Sequence, residues 1–449
     1  MKKHDPEAGL SRIQRKWLSF CIFGILMMNS INWASFERAG FGGYKKAALS
    51  WMFRHGKIFW DHLLSASVKL VLRQYDIKEG IAVLDELDRA RCKKTKRIHK
   101  AYKQKDKKTG GYVNGQTVVL LLLVTDSITF PVGFKFYMPD PVQTAWKKED
   151  KKLRKKGVPK EKRPVSPDPD PEYPTKQSLA LELLKEFKQN HPEISVQCLL
   201  ADALYGTGDF MDKGCSILGT SQVISQLHSN QIIYYRGRKK NLSDFFNVTC
   251  KGTIRKVRVR GGEEITMTVA SARLHVKAHG KKRFVIAVKY KDEKNYRYLV
   301  TTDMSWRTED IIRAYTLRWL VEVFFEDWKL YEGWGQEARQ FDEKGSSRSL
   351  ILSLLFDHCL LLHPEQAARI DNKLPAFTVG SLRRRTQMEG LLEFIQFLLQ
   401  QDNAGKQLEK LGKKVKEFFQ LVPSNKHMSG RDLGRLEATP SLSYKGGVC

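Results

Sequence analysis

The sequence predicts an α/β protein: a mixed sheet flanked by helices, interrupted by a mostly antiparallel β insertion, with helical N- and C-terminal regions. Three observations predict this. First, the apolar runs Gly80 to Leu84 and Ser195 to Leu200 lead into Asp85 and Asp202, the pattern of buried strands that hand a carboxylate to the edge of a sheet. Second, residues 217–302 alternate between apolar and polar in short runs separated by Gly, Asn, Asp and Lys turns, which reads as antiparallel sheet. Third, the stretch YTLRWLVEVFFEDWK, Tyr315 to Lys329, has helical periodicity, with Leu317, Leu320, Val321, Phe324 and Phe325 supplying an apolar side.

Composition bounds the rest. With 449 residues the chain is about three domains long, and a hydrophobic fraction of 41% excludes global disorder. The 78 Lys and Arg against 49 Asp and Glu give a formal charge of +29, so a polyanionic partner, nucleic acid first, is expected. Seven cysteines lie far apart with no CxxC spacing, which excludes a zinc ribbon or a small disulfide framework and suits isolated thiols in a reducing cytoplasm. The apolar run Trp17 to Met28 is too short to span a bilayer and lacks a clear cleavage site, so it is expected to be a buried helix and no membrane partner is expected.

In chain order, residues 1–75 read as short helices broken at Gly42-Gly43 and near Gly56, with basic and aromatic residues interleaved, a pattern suited to a compact DNA-binding region. Residues 76–216 read as the first part of the core. There the strand ending at Asp85 is followed by a basic stretch containing Lys93, Lys94, Lys96 and Arg97, expected to contact DNA phosphates, and by strands at Gln116 to Thr125 and Thr129 to Tyr137. Residues 146–175, Lys-rich and then Pro-rich, are expected to be a flexible excursion without regular structure beyond a helical turn or two. A helix from Lys176 to Gln189 leads to the strand before Asp202. Residues 217–302 are the β insertion, residues 303–372 the second part of the core, and residues 373–449 a helical C-terminal region with a polar tail, a candidate for dimerisation.

On the helix at Tyr315 to Lys329, the residues Tyr315, Arg318, Glu322 and Lys329 fall within about a sixth of a turn of one face. Their spacing resembles the motif of the IS-four-type family of bacterial DDE transposases, cut-and-paste enzymes with a ribonuclease-H-like catalytic core. The resemblance implies a catalytic and metal-binding triad of Asp85, Asp202 and Glu322, with Asp88 and Glu326 as rivals to the first and third. It implies two Mg²⁺ ions per site, Mn²⁺ substituting, because in-line displacement at phosphorus needs both the attacking and the leaving oxygen stabilised.

By the same resemblance Tyr315, Arg318 and Lys329 contact phosphates of the transposon end, cleavage runs through a DNA hairpin, and an aromatic side chain, Tyr298 or Trp306, receives a displaced base. The implied partners are double-stranded DNA, as terminal inverted repeats and target, and a second copy of the chain in a synaptic complex at the bacterial nucleoid. The family's hydroxyl two places after the first aspartate is missing here, where Glu86 and Leu87 follow Asp85. Two alternatives therefore stand beside the transposase: a DNA-binding protein without chemistry, and a metal-dependent nuclease without strand transfer.

Overall fold

A single twelve-stranded sheet runs through the residues that the computed structural model describes: 9–92, 98–105, 110–259, 263–334, 340, 342–367 and 377–419. Lys93, Lys94, Lys96 and Arg97 lie outside them. The strands are β1 (Glu79–Cys92), β2 (Tyr102–Lys105), β3 (Tyr112–Val124), β4 (Thr129–Tyr137), β5 (Ser195–Ala201), β6 (Val223–Leu227), β7 (Ile232–Tyr235), β8 (Arg238–Asn241), β9 (Thr253–Arg258), β10 (Glu264–Val276), β11 (Lys281–Tyr290) and β12 (Arg297–Thr301). Their order is β2-β3-β1-β5-β6-β12-β11-β10-β7-β8, with β4 on β3 and β9 on β10. Among the described residues only β1, β5 and β6 pair in parallel.

Why the centre of the sheet is apolar throughout follows from its burial on two faces. In β3, Val118, Leu120, Leu122 and Val124 enter one core, and Val119, Leu121 and Leu123 enter the other, so no position is left for a polar alternation. The first core is closed by α1 (Arg12–Met28), α2 (Trp33–Ala39), α3 (Lys46–His55), α4 (Trp60–Gln74), α9 (Thr308–Thr316), α10 (Trp319–Tyr331) and α11 (Glu343–Leu361). The second is covered by α6 (Lys176–Asn190) and α7 (Gly208–Leu218), and it also takes in Val68, Val71 and Leu72 of α4. Between them the chain adds α5 (Pro141–Lys155), α8 (Leu242–Asp244), α12 (Pro364–Ala367), α13 (Val379–Leu399) and α14 (Ala404–Phe418).

Contacts divide the chain into two compact units, residues 1–390 and residues 391–449. The second unit holds the end of α13 and α14, whose apolar side chains Leu392, Leu399 and Leu408 are exposed.

Packing shows how these parts meet. The helices of residues 1–75 do not stand apart: Trp17 meets Trp33 and Trp60 at ring-centroid distances of 6.1 and 6.2 Å, and this cluster shares its core with α10 and α11. Arg348 of α11 also donates to the carbonyls of Phe53 and Arg54 at 2.7 and 2.8 Å, closing the last turn of α3. No single described helix is long and apolar enough to cross a membrane; α1 and α2 pass that test only as a pair bent by 88°.

The strand read as ending at Asp85 continues to Cys92 along β3. Residues 146–155 are helical, as part of α5, which Asp140 caps by accepting from Val142 and Gln143 and whose last turn carries Lys152, Arg154 and Lys155 against the helix dipole. Finally, β6 pairs with β5 and with β12, so the β insertion extends the core sheet without a break.

Candidate active site

The parallel pairing of β1 with β5 ends at Leu84 and Ala201, which places the next residues, Asp85 and Asp202, side by side where β5 stops. Asp85 is mid-strand, since β1 runs on along β3, and it is 7% exposed. Asp202 leaves the sheet and opens a short 3-10 turn, with its carboxylate accepting from the Leu204 amide at 2.9 Å. Ligand atoms of Asp85, Glu86 and Asp202 all lie within 4.8 Å of one another.

Glu322 comes from the other side. The helix expected over Tyr315 to Lys329 is two helices, α9 and α10, joined at Leu317 and Arg318 by tight turns in which Leu317, Arg318, Leu320 and Val321 each donate to the carbonyl three residues back. Glu322 sits in the first turn of α10, where the helix dipole favours a carboxylate. Arg318 bridges the two sources: its Nη1 is 2.7 Å from Asp85 Oδ2 and 3.8 Å from Glu322 Oε1.

Electrostatics mark this cluster. Burial pushes the Asp85 carboxyl up to about 7; the Arg318 charge and the Glu86 amide oppose the shift, and Asp202 and Glu322 add to it. A carboxylate crowded in this way calls for a cation. Arg318 supplies one between strand and helix, and a divalent ion, when bound, would be held by the carboxylates themselves. The donor set is all carboxylate oxygen, which fits a hard ion such as Mg²⁺ and not a soft metal.

The Asp202 loop is held from four directions. Tyr315 donates to the Ala201 carbonyl at 3.4 Å, Ser225 to that of Asp202 at 2.5 Å and Gln177 to that of Leu204 at 2.6 Å, while His279 Nε2 lies 3.0 Å from that of Gly206. Burial, resisted by the adjacent Arg318, pushes the Tyr315 phenol up to about 12, so it remains a hydrogen-bond donor. His279 can donate through Nε2 because its Nδ1 accepts from Arg283 at 3.2 Å. Gly208 passes so close to this ring that an added Cβ would lie 2.9 Å from the His279 Cα.

Sequence reasoning missed Glu86 and Lys176. Glu86 was read only as a departure from a motif, yet its two oxygens meet Lys176 Nζ at 2.6 Å and the Tyr205 hydroxyl at 3.2 Å. The available signal was an acid directly beside Asp85 in a strand.

The remaining residues are placed less centrally. Lys329 lies in the last turn of α10, its ammonium 5.9 Å from the Phe325 ring centroid. Trp306 is half-buried against the first core. Tyr298 is 3% exposed and packs on Phe246 in the second core, while its neighbour Leu299 belongs to the first. Beside Arg318 a cavity of about 270 Å³ is lined by Tyr290, Arg297, Leu299, Tyr315 and Trp319, among others. Asp88 is exposed and accepts from Thr117, and Glu326 is exposed.

Fold and site together define a ribonuclease-H-like core with an acidic cluster at the edge of its sheet. The chain belongs to the DDE superfamily endonucleases, whose family model matches residues 8–240, just over half of the chain. That match includes Asp85 and Asp202 and ends before Glu322. A search of curated proteins found no match. DNA is the substrate that the family implies, and a divalent metal is the cofactor its nucleases use.

Proposed function

We propose that the protein is a cut-and-paste DNA transposase of the IS-four type, with Asp85, Asp202 and Glu322 as its catalytic carboxylates and Mg²⁺, replaceable by Mn²⁺, as its cofactor. The observation that carries this reading is the Arg318 bridge between Asp85 and Glu322, next to Asp202. It joins the first aspartate to the glutamate of a Tyr-Arg-Glu-Lys spacing. When bound, the metal would polarise the phosphodiester and lower the pKa of the attacking water.

The chain's own residues do the rest. Asp85, fixed by the sheet, and Asp202, fixed by its clamped loop, present oxygens at set positions. Arg318 and Lys329 grip phosphates on either side of the cut, and Tyr315 holds the loop. Lys93, Lys94, Lys96 and Arg97 are assigned to flanking phosphates. If cleavage passes through a hairpin, the cavity beside Arg318 would take the displaced base, with Tyr290 and Trp319 as stacking partners in place of Tyr298. A second copy of the chain completes the synaptic complex on terminal inverted repeats.

A second reading is favoured by one observation: Glu86, not Glu322, lies in the tight group with both aspartates. In that arrangement the protein would be a metal-dependent nuclease with a different third ligand. Purified protein incubated with Mg²⁺ and linear DNA carrying the element's own ends separates the two. Asp202→Asn and Glu322→Gln are expected to lower cleavage by at least a thousandfold while end binding stays within about threefold. Full cleavage by Glu322→Gln together with loss in Glu86→Gln would replace the first reading by the second. Ends that are cut and never joined to target would remove transposition.

A further inference from the structure

Residues 138–175 form an arm that leaves and re-enters the fold at the site. β4 ends at Tyr137, and α6 begins at Lys176, whose ammonium lies 5.3 Å from the Tyr137 ring centroid and 2.6 Å from Glu86. One root, Lys176, is therefore tied to the residue after Asp85, and the other, Tyr137, lies against that lysine. Its outward part is α5, which has no buried residue.

One side of α5 is occupied by the returning chain. Trp146 donates to the Pro164 carbonyl at 2.8 Å, Asp150 pairs with Arg163 at 2.7 Å, and Gln143 donates to the Pro167 carbonyl. Lys147, Lys148, Lys151, Lys152, Arg154 and Lys155 are all exposed. At 100° per residue they share an arc of about 160° on the opposite side. Among the described residues only Lys152 of the six has an anionic partner, Glu149 at 3.9 Å. The helix thus separates a face that fastens the arm from a face dominated by cations.

We propose that this basic face of α5 docks the phosphate backbone of duplex DNA beside the cut. The proposal rests on DNA being the substrate and goes beyond the catalytic reading by naming a binding surface outside the carboxylate cluster. Charge complementarity selects the partner: the cations from Lys147 to Lys155 extend about 12 Å along the helix, the length of about three to four base pairs, along which phosphates recur on each strand every 3.4 Å or so. Rooted at Glu86, the arm reaches DNA flanking the scissile bond and no base edge is needed.

The test replaces Lys147, Lys148, Lys151 and Lys152 with Gln, which keeps helix propensity, and reads affinity for duplex DNA across a salt series without divalent metal. A second variant carries Arg at the same four positions. The expected result is a log–log slope shallower by about 0.9 for each lost phosphate contact, three to four in all, equal on end and unrelated sequences, and retained in the Arg variant. An unchanged slope in the Gln variant overturns the proposal. So does a variant that loses binding to anionic lipid vesicles while its DNA slope stays the same. Because binding is read without metal, absence of strand transfer leaves this test standing, and normal transposition with an unchanged slope sinks the arm alone.

Discussion

Arg318 lies 2.7 Å from Asp85 and 3.8 Å from Glu322, so one guanidinium neutralises acids from a strand and a helix separated by 233 positions on the Asp85 side. Its removal leaves a buried acid uncompensated. Asp85 titrates at about 7 in the folded protein, above the ordinary carboxylate value. A raised folded value means that ionising Asp85 opposes folding, a penalty that is absent below about pH 4, grows as pH rises toward 7 and is complete above it. Arg318→Gln enlarges that penalty. In metal-free buffer it is expected to destabilise by about 1–3 kcal/mol at pH 8, with the half-exposed Glu322 arm of the bridge discounted for screening. The loss should fade by pH 4, and divalent metal should restore part of it. Thermal unfolding of both proteins from pH 4 to 8 checks this, and an equal loss at both ends of the range would contradict it.

At the scale of elements, α11 shows what burial on all sides does to polar groups. His358 lies 2.7 Å from Ser67 of α4 and 2.8 Å from the Pro131 carbonyl of β4, so one ring ties three elements, and burial pushes its pKa down to about 4. Beside it, both Asp357 oxygens and one Glu332 oxygen have no hydrogen-bond partner among the described residues. Burial, reinforced by neighbouring acids, raises both carboxyls well above their ordinary values. Stability held by a protonated Asp357 is lost as pH rises above its unfolded value of about 4. Asp357→Asn should therefore raise the melting temperature at pH 8 and change it little at pH 4, as scanning calorimetry at the two pH values would show. A lower melting temperature at pH 8 would mean that the carboxylate has a partner.

Elements whose shape follows from apolar pattern were legible in the sequence. Gly80 to Leu84, Ser195 to Leu200 and the runs of the β insertion are strands because their side chains enter a core. α5 was hidden because its stability comes from the Asp140 cap, charge placement and three contacts to a returning segment, none of which leaves an apolar period. The charged half of β1 was hidden for the reverse reason: Glu86 to Cys92 are strand through pairing with β3, a long-range contact that local propensity does not carry. In the site, Asp85 and Asp202 were legible as carboxylates that follow apolar runs, whereas the Glu86 and Lys176 pair joins residues 90 apart and has no local sign.

At the scale of the whole molecule, Leu227 of β6 pairs with Tyr298 of β12, so residues 228–297 leave the β6–β12 ladder and return to it at one point. The β insertion is, in effect, a hairpin whose turn has grown into strands of its own, β7 to β11. That geometry sets an order of folding. Closing a bare loop of this length carries an entropy cost that grows by about 0.6 kcal/mol with each doubling, while the pairs β7 with β8, β9 with β10 and β10 with β11 join neighbours in sequence. Forming those first shortens the effective loop and brings β12 to β6 already aligned. Pulse-labelled amide exchange during refolding should find β10 and β11 protected before β6 and β12; the opposite order would mean that the central sheet recruits the insertion. On the expected order, the carbonyl of Asp202, which accepts from Ser225 of β6, is among the last groups fixed, and the nascent chain acquires its acidic cluster only after the structure around it has closed.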